Sequence, residues 1–351
     1  MSAPGKLQIP ILLGLTAIQA LCFVLIKAGL AYAPPLLFGG LRALIGGGVL
    51  LGLTIVLRQP LLPPRKAWGG LLALALTATT LGFGGMFLGP GWTSAGIASV
   101  LGNMQPLILV GLAAAFLGER MTPRRWITVA LGFAGVILLS WPALAGPGGV
   151  ALSGAALALM ASVGAAVGSV VFKRMRVATG LLTITAWQLI LGSLPLLVVS
   201  AIFERQIPVH WSVQFVGVLL FLALVGTSFV TAAWYWLVQR GELSRLALFL
   251  FLVPVFGLGI AALFGERVSL LEGAGLLLIV AGIVVATRAG AGAADHPNRA
   301  AHGPAWPGGH LQPGCKVRLE HSELAGETPL KFALAQEVID HGQRPRLWHG
   351  D

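Results

Sequence analysis

The stretch Asn-Met-Gln-Pro-Leu-Ile-Leu-Val-Gly-Leu-Ala-Ala-Ala-Phe-Leu-Gly-Glu-Arg, residues 103–120, decides the fold because a similar stretch follows later in the chain. The second copy, residues 252–267, is Leu-Val-Pro-Val-Phe-Gly-Leu-Gly-Ile-Ala-Ala-Leu-Phe-Gly-Glu-Arg. Each copy predicts an apolar helix with a proline inside it, and each ends in Gly-Glu-Arg. When the two triplets are superposed, Ala134-Gly135 falls on Ala281-Gly282. We therefore infer that the chain contains two copies of one unit.

The composition is that of an integral membrane protein. The mean hydropathy is +0.88 and only 10% of the residues are charged, which excludes an ordinary soluble globular protein. Many of the 48 glycines fall inside apolar runs, and Gly48-x-x-x-Gly52, Gly85-x-x-x-Gly89 and Gly164-x-x-x-Gly168 predict close packing of membrane helices. The two cysteines, Cys22 and Cys315, provide no disulfide framework. The sequence predicts no metal site and no cofactor.

Ten apolar spans predict an all-α membrane protein. Each is about 20 residues long, which suffices for a helix to cross the hydrocarbon core of a bilayer. Short loops marked by Pro, Gly and charged residues separate the spans. The first span is too long for a signal-peptide core, and we expect it to remain as a helix. The predicted spans are residues 7–30, 36–57, 67–88, 92–117, 124–141, 151–172, 181–203, 213–238, 243–264 and 271–288.

The distribution of Lys and Arg predicts the orientation of the chain. The loops on the side of the N-terminus hold thirteen of them, whereas the opposite side holds four, with Lys27 and Arg42 counted among the four. Because cytoplasmic loops carry the excess of positive charge, both termini are predicted to lie in the cytoplasm of a multi-pass protein of the cytoplasmic, or inner, membrane. The net charge of +11 is thereby explained by topology, and no nucleic-acid partner is predicted.

Five spans in each copy is an odd number, so the second copy enters the bilayer upside down. The sequence thus predicts two inverted five-helix repeats, residues 1–145 and 146–288, an architecture in which two half-sites meet at the membrane midplane. After Arg288 the composition changes to Pro, Gly and His with no long apolar run. Residues 289–351 are predicted to form a disordered cytoplasmic tail.

The motifs along residues 10–288 occur in an order and spacing that resemble one known family. They are Lys27; Pro34 to Arg42; Thr93 to Pro106; Gly118 to Arg120; Ala186 to Gln188; Gly226 and Thr227; Trp234 to Trp236; Pro254; and Gly265 to Arg267. The chain resembles the EamA branch of the drug/metabolite transporter superfamily, which are ten-helix proteins built from two inverted repeats. The second half departs from the first at one charge, since Leu189 falls where an arginine would match Arg42.

Lys27 and Arg42 are the only charges that we place inside the spans more than two residues from a span edge. Ionic side chains in a membrane usually face the interior of the bundle or a water-filled cavity. Two interpretations stay open. Either the two cations attract a carboxylate or phosphate of the substrate or hold the first two helices together, or they extend to water along their apolar stems.

The prolines of the repeated stretch predict a break in hydrogen bonding at mid-membrane. Pro106 displaces the carbonyl of Gly102, and Pro254 that of Leu250. A displaced carbonyl can bind substrate in a cavity, or neighbouring helices can satisfy it. Asn103 and Gln105 lie beside Pro106, and their spacing allows only one of them to face a given neighbour.

Further candidates for the substrate pathway are polar or amphipathic side chains inside spans. They are Gln19, Trp187, Gln188, Thr227 and Tyr235. Anchoring at the membrane interface is the alternative role for the aromatic residues, and bonding to the local backbone is the alternative for the threonine. The Gly-Glu-Arg triplets contribute Glu119, Arg120, Glu266 and Arg267, which either cap loops or pair with helix ends at a gate.

We predict from these patterns a secondary transporter that moves a small polar metabolite by alternating access. The absence of a carboxylate near the midplane favours an anionic, zwitterionic or neutral substrate over a cationic drug, and the family resemblance favours export. A drug exporter, and a structural or sensory membrane protein acting through its tail, are the alternatives. No enzymatic activity is predicted, because the spans hold no histidine and no acidic pair. The sequence leaves monomer and homodimer open.

Overall fold

Helices make up the regular structure in the computed structural model, which describes residues 8–92, 100–144, 152–176, 180–263 and 269–291. The first half contains α1 (Gln8–Gly29), α2 (Pro35–Val56), α3 (Trp68–Leu74, Ala75–Leu81 and Gly82–Trp92, after a short turn of 3-10 helix at Arg65–Ala67), α4 (residues 100–102 and Gln105–Leu117) and α5 (Pro123–Leu144). The second half contains α6 (Leu152–Met175), α7 (Leu181–Phe203), α8 (Val213–Ala223, Leu224–Phe229 and Val230–Arg240), α9 (Leu243–Phe249 and Leu252–Leu263) and α10 (Leu270–Ala291).

The predicted all-α membrane fold is confirmed. Within the described ranges, nine helices are long and apolar enough to span a bilayer, and α10 carries a shorter apolar segment, Leu270–Val285. The predicted spans agree with these helices to within a few residues, except at the start of the fourth span, where residues 93–99 lie outside the described part of the chain. The predicted boundary between the two halves, at residues 145 and 146, also lies outside it. Of the predicted tail, only residues 289–291 are described, and they belong to α10.

Two kinds of irregularity recur at matching places in the two halves. The segment Ala75–Leu81 of α3 and the segment Leu224–Phe229 of α8 are both π-helical. Both α4 and α9 are interrupted shortly before their prolines, at residues 103–104 and 250–251. Long π-helical segments are rare and often lie at functional sites, so their repetition directs attention to α3 and α8.

The packing of the helices follows the same twofold pattern. Helix α2 packs along α7, its counterpart in the other half, and α5 packs along α10. Helix α1 packs against α8 and α9, and correspondingly α6 packs against α3 and α4. Each half therefore completes the packing of the other, as expected of two inverted repeats.

Glycines permit the closest helix contacts. A Cβ on Gly135 would lie 2.6 Å from the carbonyl oxygen of Gly275, and a Cβ on Gly275 would lie 2.6 Å from that of Gly135. These two glycines allow the backbones of α5 and α10 to touch. The predicted Gly85/Gly89 and Gly164/Gly168 patterns bring α3 and α6 together in the same way, whereas Gly48 and Gly52 have no neighbour within 4 Å of an added Cβ. The packing role predicted for Gly48 and Gly52 was therefore wrong.

The two ends of the bundle are distinguished by the residues they carry. We call the end at which α4 reaches Glu119, α6 reaches Lys173 and α8 reaches Arg240 the basic end. At the opposite end, the loops after α1 and α7 meet, and the amide of His210 donates a hydrogen bond to the carbonyl of Tyr32 at 2.8 Å.

Candidate substrate pathway

A small cavity lies where the interruptions of α4 and α9 meet α1. Its volume is about 20 Å³, and roughly 10–15 Å³ is needed to hold one water molecule. The cavity therefore has room for a single water. The residues that line it are Gln19 and Phe23 of α1; Gly102, Asn103, Gln105 and Pro106 at the start of α4; and Leu250 and Val253 of α9. Four residues predicted from sequence, Gln19, Asn103, Gln105 and Pro106, are thus brought together around one cavity.

The carbonyls displaced by the two prolines have partners within the protein. Ser162 of α6 lies with its Oγ 2.7 Å from the carbonyl oxygen of Leu101 and 2.8 Å from that of Gly102. The carbonyl of Leu250 accepts a hydrogen bond from the amide of Val253 at 3.1 Å. Neighbouring groups thus accept the role of partner for the carbonyls that the prolines displace. This agrees with the interpretation that the protein itself, and not a substrate, satisfies these carbonyls. The prolines place non-helical backbone at a cavity, where a membrane protein tolerates it.

Arg42 of α2 is 4% exposed and reaches into the π-helical segment of α8. Its Nε donates to Thr227 Oγ1 at 2.6 Å, and its Nη2 donates to the carbonyl of Gly226 at 3.0 Å. Four residues further along α2, the carbonyl of Gly46 accepts a hydrogen bond from Ser228 Oγ at 2.8 Å. Arg42 therefore connects the two halves, and its burial excludes the interpretation that it extends to water.

Gln188 of α7 makes the matching connection to the π-helical segment of α3. Its Nε2 donates to Thr79 Oγ1 at 2.6 Å. Four residues along α7, the carbonyl of Gly192 accepts from Thr80 Oγ1 at 2.8 Å. We call the contacts at Arg42 and Gln188 the two interhelical clamps. Each clamp joins the second helix of one half to the π-helical segment of the other half.

Each clamp leaves one buried atom without a hydrogen-bond partner, Arg42 Nη1 and Gln188 Oε1. The guanidinium of Arg42 also lies 5.1 Å from the ring centroid of Phe83 and 6.0 Å from that of Phe87, contacts of cation–π type. Aromatic faces thus contribute to stabilising a buried charge. The role of Arg42 as a substrate ligand stays a prediction, as does that of Gln188.

Glu119 closes the basic end of the bundle. Gly118, with φ +66°, ends α4 in the left-handed conformation that favours glycine, and the chain turns there toward α9. The two oxygens of Glu119 accept hydrogen bonds from the amides of Leu243 and Ser244, both at 2.8 Å, and Ser244 Oγ lies 2.5 Å away. Glu119 therefore caps the first turn of α9 from another helix, and the helix dipole favours its negative charge there.

The same end carries two further polar links. Lys173 Nζ donates to the carbonyls of Val238 and Gly241, each at 2.5 Å, where α8 ends. Arg125 forms an ion pair with Glu242 at the junction of α8 and α9. Together with Glu119, these links hold the ends of α4, α5, α6, α8 and α9 together.

At the opposite end lies Glu204, which was not among the residues predicted from the sequence. This buried carboxylate follows α7 and accepts hydrogen bonds from the amides of Leu36 and Leu37, each at 3.0 Å, and from Ser200 Oγ at 2.7 Å. Helix α2 begins at Pro34-Pro35, and Pro34 offers no side chain to cap the helix. The sequence did contain a signal for this contact: a helix start without a capping side chain, at Pro34-Pro35, and a single carboxylate at the end of α7.

The remaining predicted residues lie elsewhere. Lys27 is exposed in the last turn of α1, which fits extension of its side chain to water. Trp187 Nε1 donates to the carbonyl of Leu61 at 2.8 Å, so Trp187 holds the loop after α2. Tyr235 is buried and stacks on Phe172 with ring centroids 4.0 Å apart.

Four predicted residues remain: three in the two Gly-Glu-Arg triplets and one at the interruption of α9. Arg120 is exposed, and its carbonyl accepts a hydrogen bond from Arg125. Pro254 lies in the first turn of the second part of α9, next to the Val253 that lines the cavity. Glu266 and Arg267 lie outside the described residues.

Comparisons with known proteins agree with this architecture. Two segments, residues 7–141 and 152–288, match the model of the EamA-like transporter family. The Bacillus subtilis protein described as uncharacterized transporter YvbV is 35% identical over 259 residues, which cover 73% of this chain and 84% of that protein. A probable amino-acid metabolite efflux pump of Salmonella typhimurium is 30% identical over 277 residues, which cover 76% of this chain and 90% of the pump. One solved crystal structure has a TM-score of 0.68 at 19% identity and covers 80% of this chain and 97% of its own; it shows a shared fold.

Proposed function

The chain belongs to the EamA-like transporter family, and we propose that it exports a small polar metabolite, an amino acid or a related anionic or zwitterionic compound, by alternating access. It is a multi-pass membrane transporter. In this proposal both termini and the basic end face the cytoplasm, and the protein resides in the cytoplasmic membrane. The proposal includes no catalytic step, so the substrate leaves chemically unchanged.

The observation that carries the proposal is the cavity between α1 and the interruptions of α4 and α9. Its polar side chains are the three amides Gln19, Asn103 and Gln105, which can donate and accept hydrogen bonds. The ammonium and carboxylate groups of a zwitterion would both find partners there. No carboxylate lies among the described lining residues to bind a cationic drug, which supports a metabolite over a drug as the substrate.

The closed state of the cavity supports alternating access. A site for one water cannot hold an amino acid, so the helices around it must separate for substrate to bind. The interruptions of α4 and α9 provide places at which the two parts of each helix can move independently. Discontinuous helices around a midplane site are common in transporters built from inverted repeats. The relatives described as amino-acid metabolite efflux pumps support the choice of substrate class and export as the direction.

Flux into proteoliposomes tests this proposal. Purified protein is reconstituted and assayed with a panel of labelled amino acids, with and without a pH gradient. We expect one or more amino acids to be transported, and Gln105→Ala to raise the half-saturating concentration about tenfold, equivalent to roughly 1.4 kcal/mol of binding energy. Gln214→Ala, at an exposed position at the start of α8, is the matched control and should leave transport unchanged. Flux no faster than in empty liposomes for every compound would contradict the proposal.

A further inference from the structure

A second, much larger cavity lies at the basic end of the bundle, apart from the central one. Its volume is about 840 Å³, within the range of roughly 300–1,000 Å³ that is usual for small-molecule sites. We call it the vestibule. Its lining residues are Phe116 and Leu117 of α4 and Glu119 just after it; Phe172, Lys173, Arg174 and Arg176 at the end of α6; and Gln239 of α8.

The charge of the vestibule is positive. Lys173, Arg174 and Arg176 face one carboxylate, Glu119, among the described lining residues. Glu119 keeps its negative charge while its oxygens accept hydrogen bonds from the first turn of α9, and it offsets only one of the three positive charges. The guanidinium of Arg174 lies 5.4 Å from the ring centroid of Phe116, which holds it at the wall of the cavity. An anion entering the vestibule would therefore meet an excess of positive charge among the described lining residues.

The vestibule also touches the links that close the basic end. Lys173 and Glu119 both line it, and both hold the junction of α8 and α9. In the described part of the chain, the hydrogen bonds of the Lys173 ammonium go to two neutral carbonyls. Hydrogen bonds between two charged groups are about twice as strong as neutral ones. An anion in the vestibule would therefore compete for Lys173 and loosen the end of α8.

We propose that the vestibule is a binding site for an anionic group, a carboxylate or a phosphate, held by Lys173, Arg174 and Arg176. This proposal rests on the proposed function in one respect: a soluble anion bound there is the metabolite that enters from the cytoplasm before export. The same chemistry fits the phosphate of a lipid headgroup, which would reach the vestibule from the bilayer. In either case binding draws Lys173 away from Val238 and Gly241.

Binding to the full chain in nanodiscs tests the site without requiring transport. In neutral phosphatidylcholine discs, the probes are L-glutamate, which has a net negative charge, L-glutamine, a zwitterion of similar shape with no net charge, and inorganic phosphate. Each is measured by calorimetry. We expect glutamate or phosphate to bind, and the double variant Arg174→Gln/Arg176→Gln to raise that Kd about tenfold. Arg65→Gln/Lys66→Gln makes the same charge change at exposed positions at the start of α3, outside the vestibule, and should change the Kd less than twofold.

The second arm identifies the source of the anion. In discs containing phosphatidylglycerol, a lipid ligand would weaken binding of the soluble anion to the wild type, whereas a soluble ligand would bind equally in both discs. The proposal is overturned if the double variant binds anions as the wild type does. A second result also overturns it: glutamate and phosphate both fail to bind, and phosphatidylglycerol stabilises the wild-type protein and the double variant equally. Failure of flux with intact anion binding would contradict the proposed function alone.

Discussion

Arg42 and Gln188 occupy equivalent places in the two halves, although their side chains differ in charge and length. Each donates to a threonine at 2.6 Å, and each lies four residues before a glycine whose carbonyl accepts a hydroxyl at 2.8 Å. The threonine in each case belongs to a π-helical segment. In alternating access, each half adopts in turn the conformation of the other. Contacts that have the same geometry in both halves can stay formed throughout that exchange. We therefore regard the clamps as pivots and not as gates.

Removing the hydroxyl that Arg42 contacts tests its structural role. In Thr227→Val, Arg42 Nε loses its partner in a buried site. An unsatisfied buried donor costs about 1–3 kcal/mol, and more when it is charged, so we expect a clearly lower melting temperature for the purified protein. Thr185→Val is the control, since Thr185 is equally buried and donates only to Leu181 of its own helix. Equal melting temperatures for the two variants would show that the clamp contributes nothing to stability.

The sequence identified Arg42 but could not identify its partner. Superposing the two Gly-Glu-Arg triplets places Leu189 opposite Arg42, whereas the residue that acts like Arg42 is Gln188, one position earlier. The spacing of the motifs differs between the halves, since Pro106 lies 13 residues before Glu119 and Pro254 lies 12 residues before Glu266. A single superposition therefore cannot align every position. Glu204 was missed because its hydrogen bonds go to backbone amides 167 and 168 positions away, which no local pattern predicts.

At the scale of single elements, the prolines predicted where α4 and α9 are interrupted. They did not predict how the freed carbonyls are satisfied, since Ser162 lies on a helix that is 60 residues away in sequence. The cavity itself follows from the meeting of two interruptions and one uninterrupted helix, which is a matter of tertiary packing. The sequence therefore located three amides of the site, and the structure supplied their common cavity.

The contact between α2 and α7 depends on a single glycine face. A Cβ on Gly47 would lie 2.7 Å from Ile190 Cγ1 and 2.9 Å from the carbonyl of Ala186, whereas one on the adjacent Gly48 would meet nothing within 4 Å. We expect Gly47→Ala to separate the helices, lowering the melting temperature and the transport rate. Gly48→Ala should be neutral or slightly stabilising, because alanine favours a helix by about 1 kcal/mol over glycine. Similar losses in both variants would contradict the close α2–α7 contact.

The cap on α9 should control opening of the basic end. Glu119→Gln keeps the shape of the side chain but removes the charge that the first turn of α9 favours, a loss of about 0.3–1 kcal/mol, or up to roughly 2 when partly buried. We expect faster labelling of a cysteine at position 239 by a thiol reagent, with Cys22 and Cys315 replaced by serine. The control is Glu242→Gln, whose pair with Arg125 is more exposed and is expected to contribute little. Unchanged labelling in Glu119→Gln would exclude a gating role for this cap.

At the scale of the whole molecule, the fold was predictable because its signals are repeated. Ten apolar spans and two copies of one motif each pointed to the same architecture. The helices and the family match confirm it. The contacts at the basic end were less predictable, since a carboxylate beside an arginine in sequence, such as Glu119, bonds instead to a helix that begins 124 positions later.

The part of the chain after α10 is expected to be dispensable for transport. A protein truncated after Ala291, where α10 ends, retains every described helix. We expect its rate of transport per reconstituted molecule to equal that of the full chain. Loss of activity with normal membrane insertion would instead favour the alternative in which the tail carries the function.

Alternating exposure of the central cavity is the claim on which the account depends, and one labelling experiment tests it most directly. Asn103 lines the cavity, so a cysteine is placed there in a chain whose Cys22 and Cys315 are serine. A membrane-impermeant thiol reagent is then applied to right-side-out and to inside-out vesicles, with and without a transported amino acid. We predict labelling from both sides, with substrate changing the rate on each. Labelling from one side alone, under every condition, would contradict alternating access.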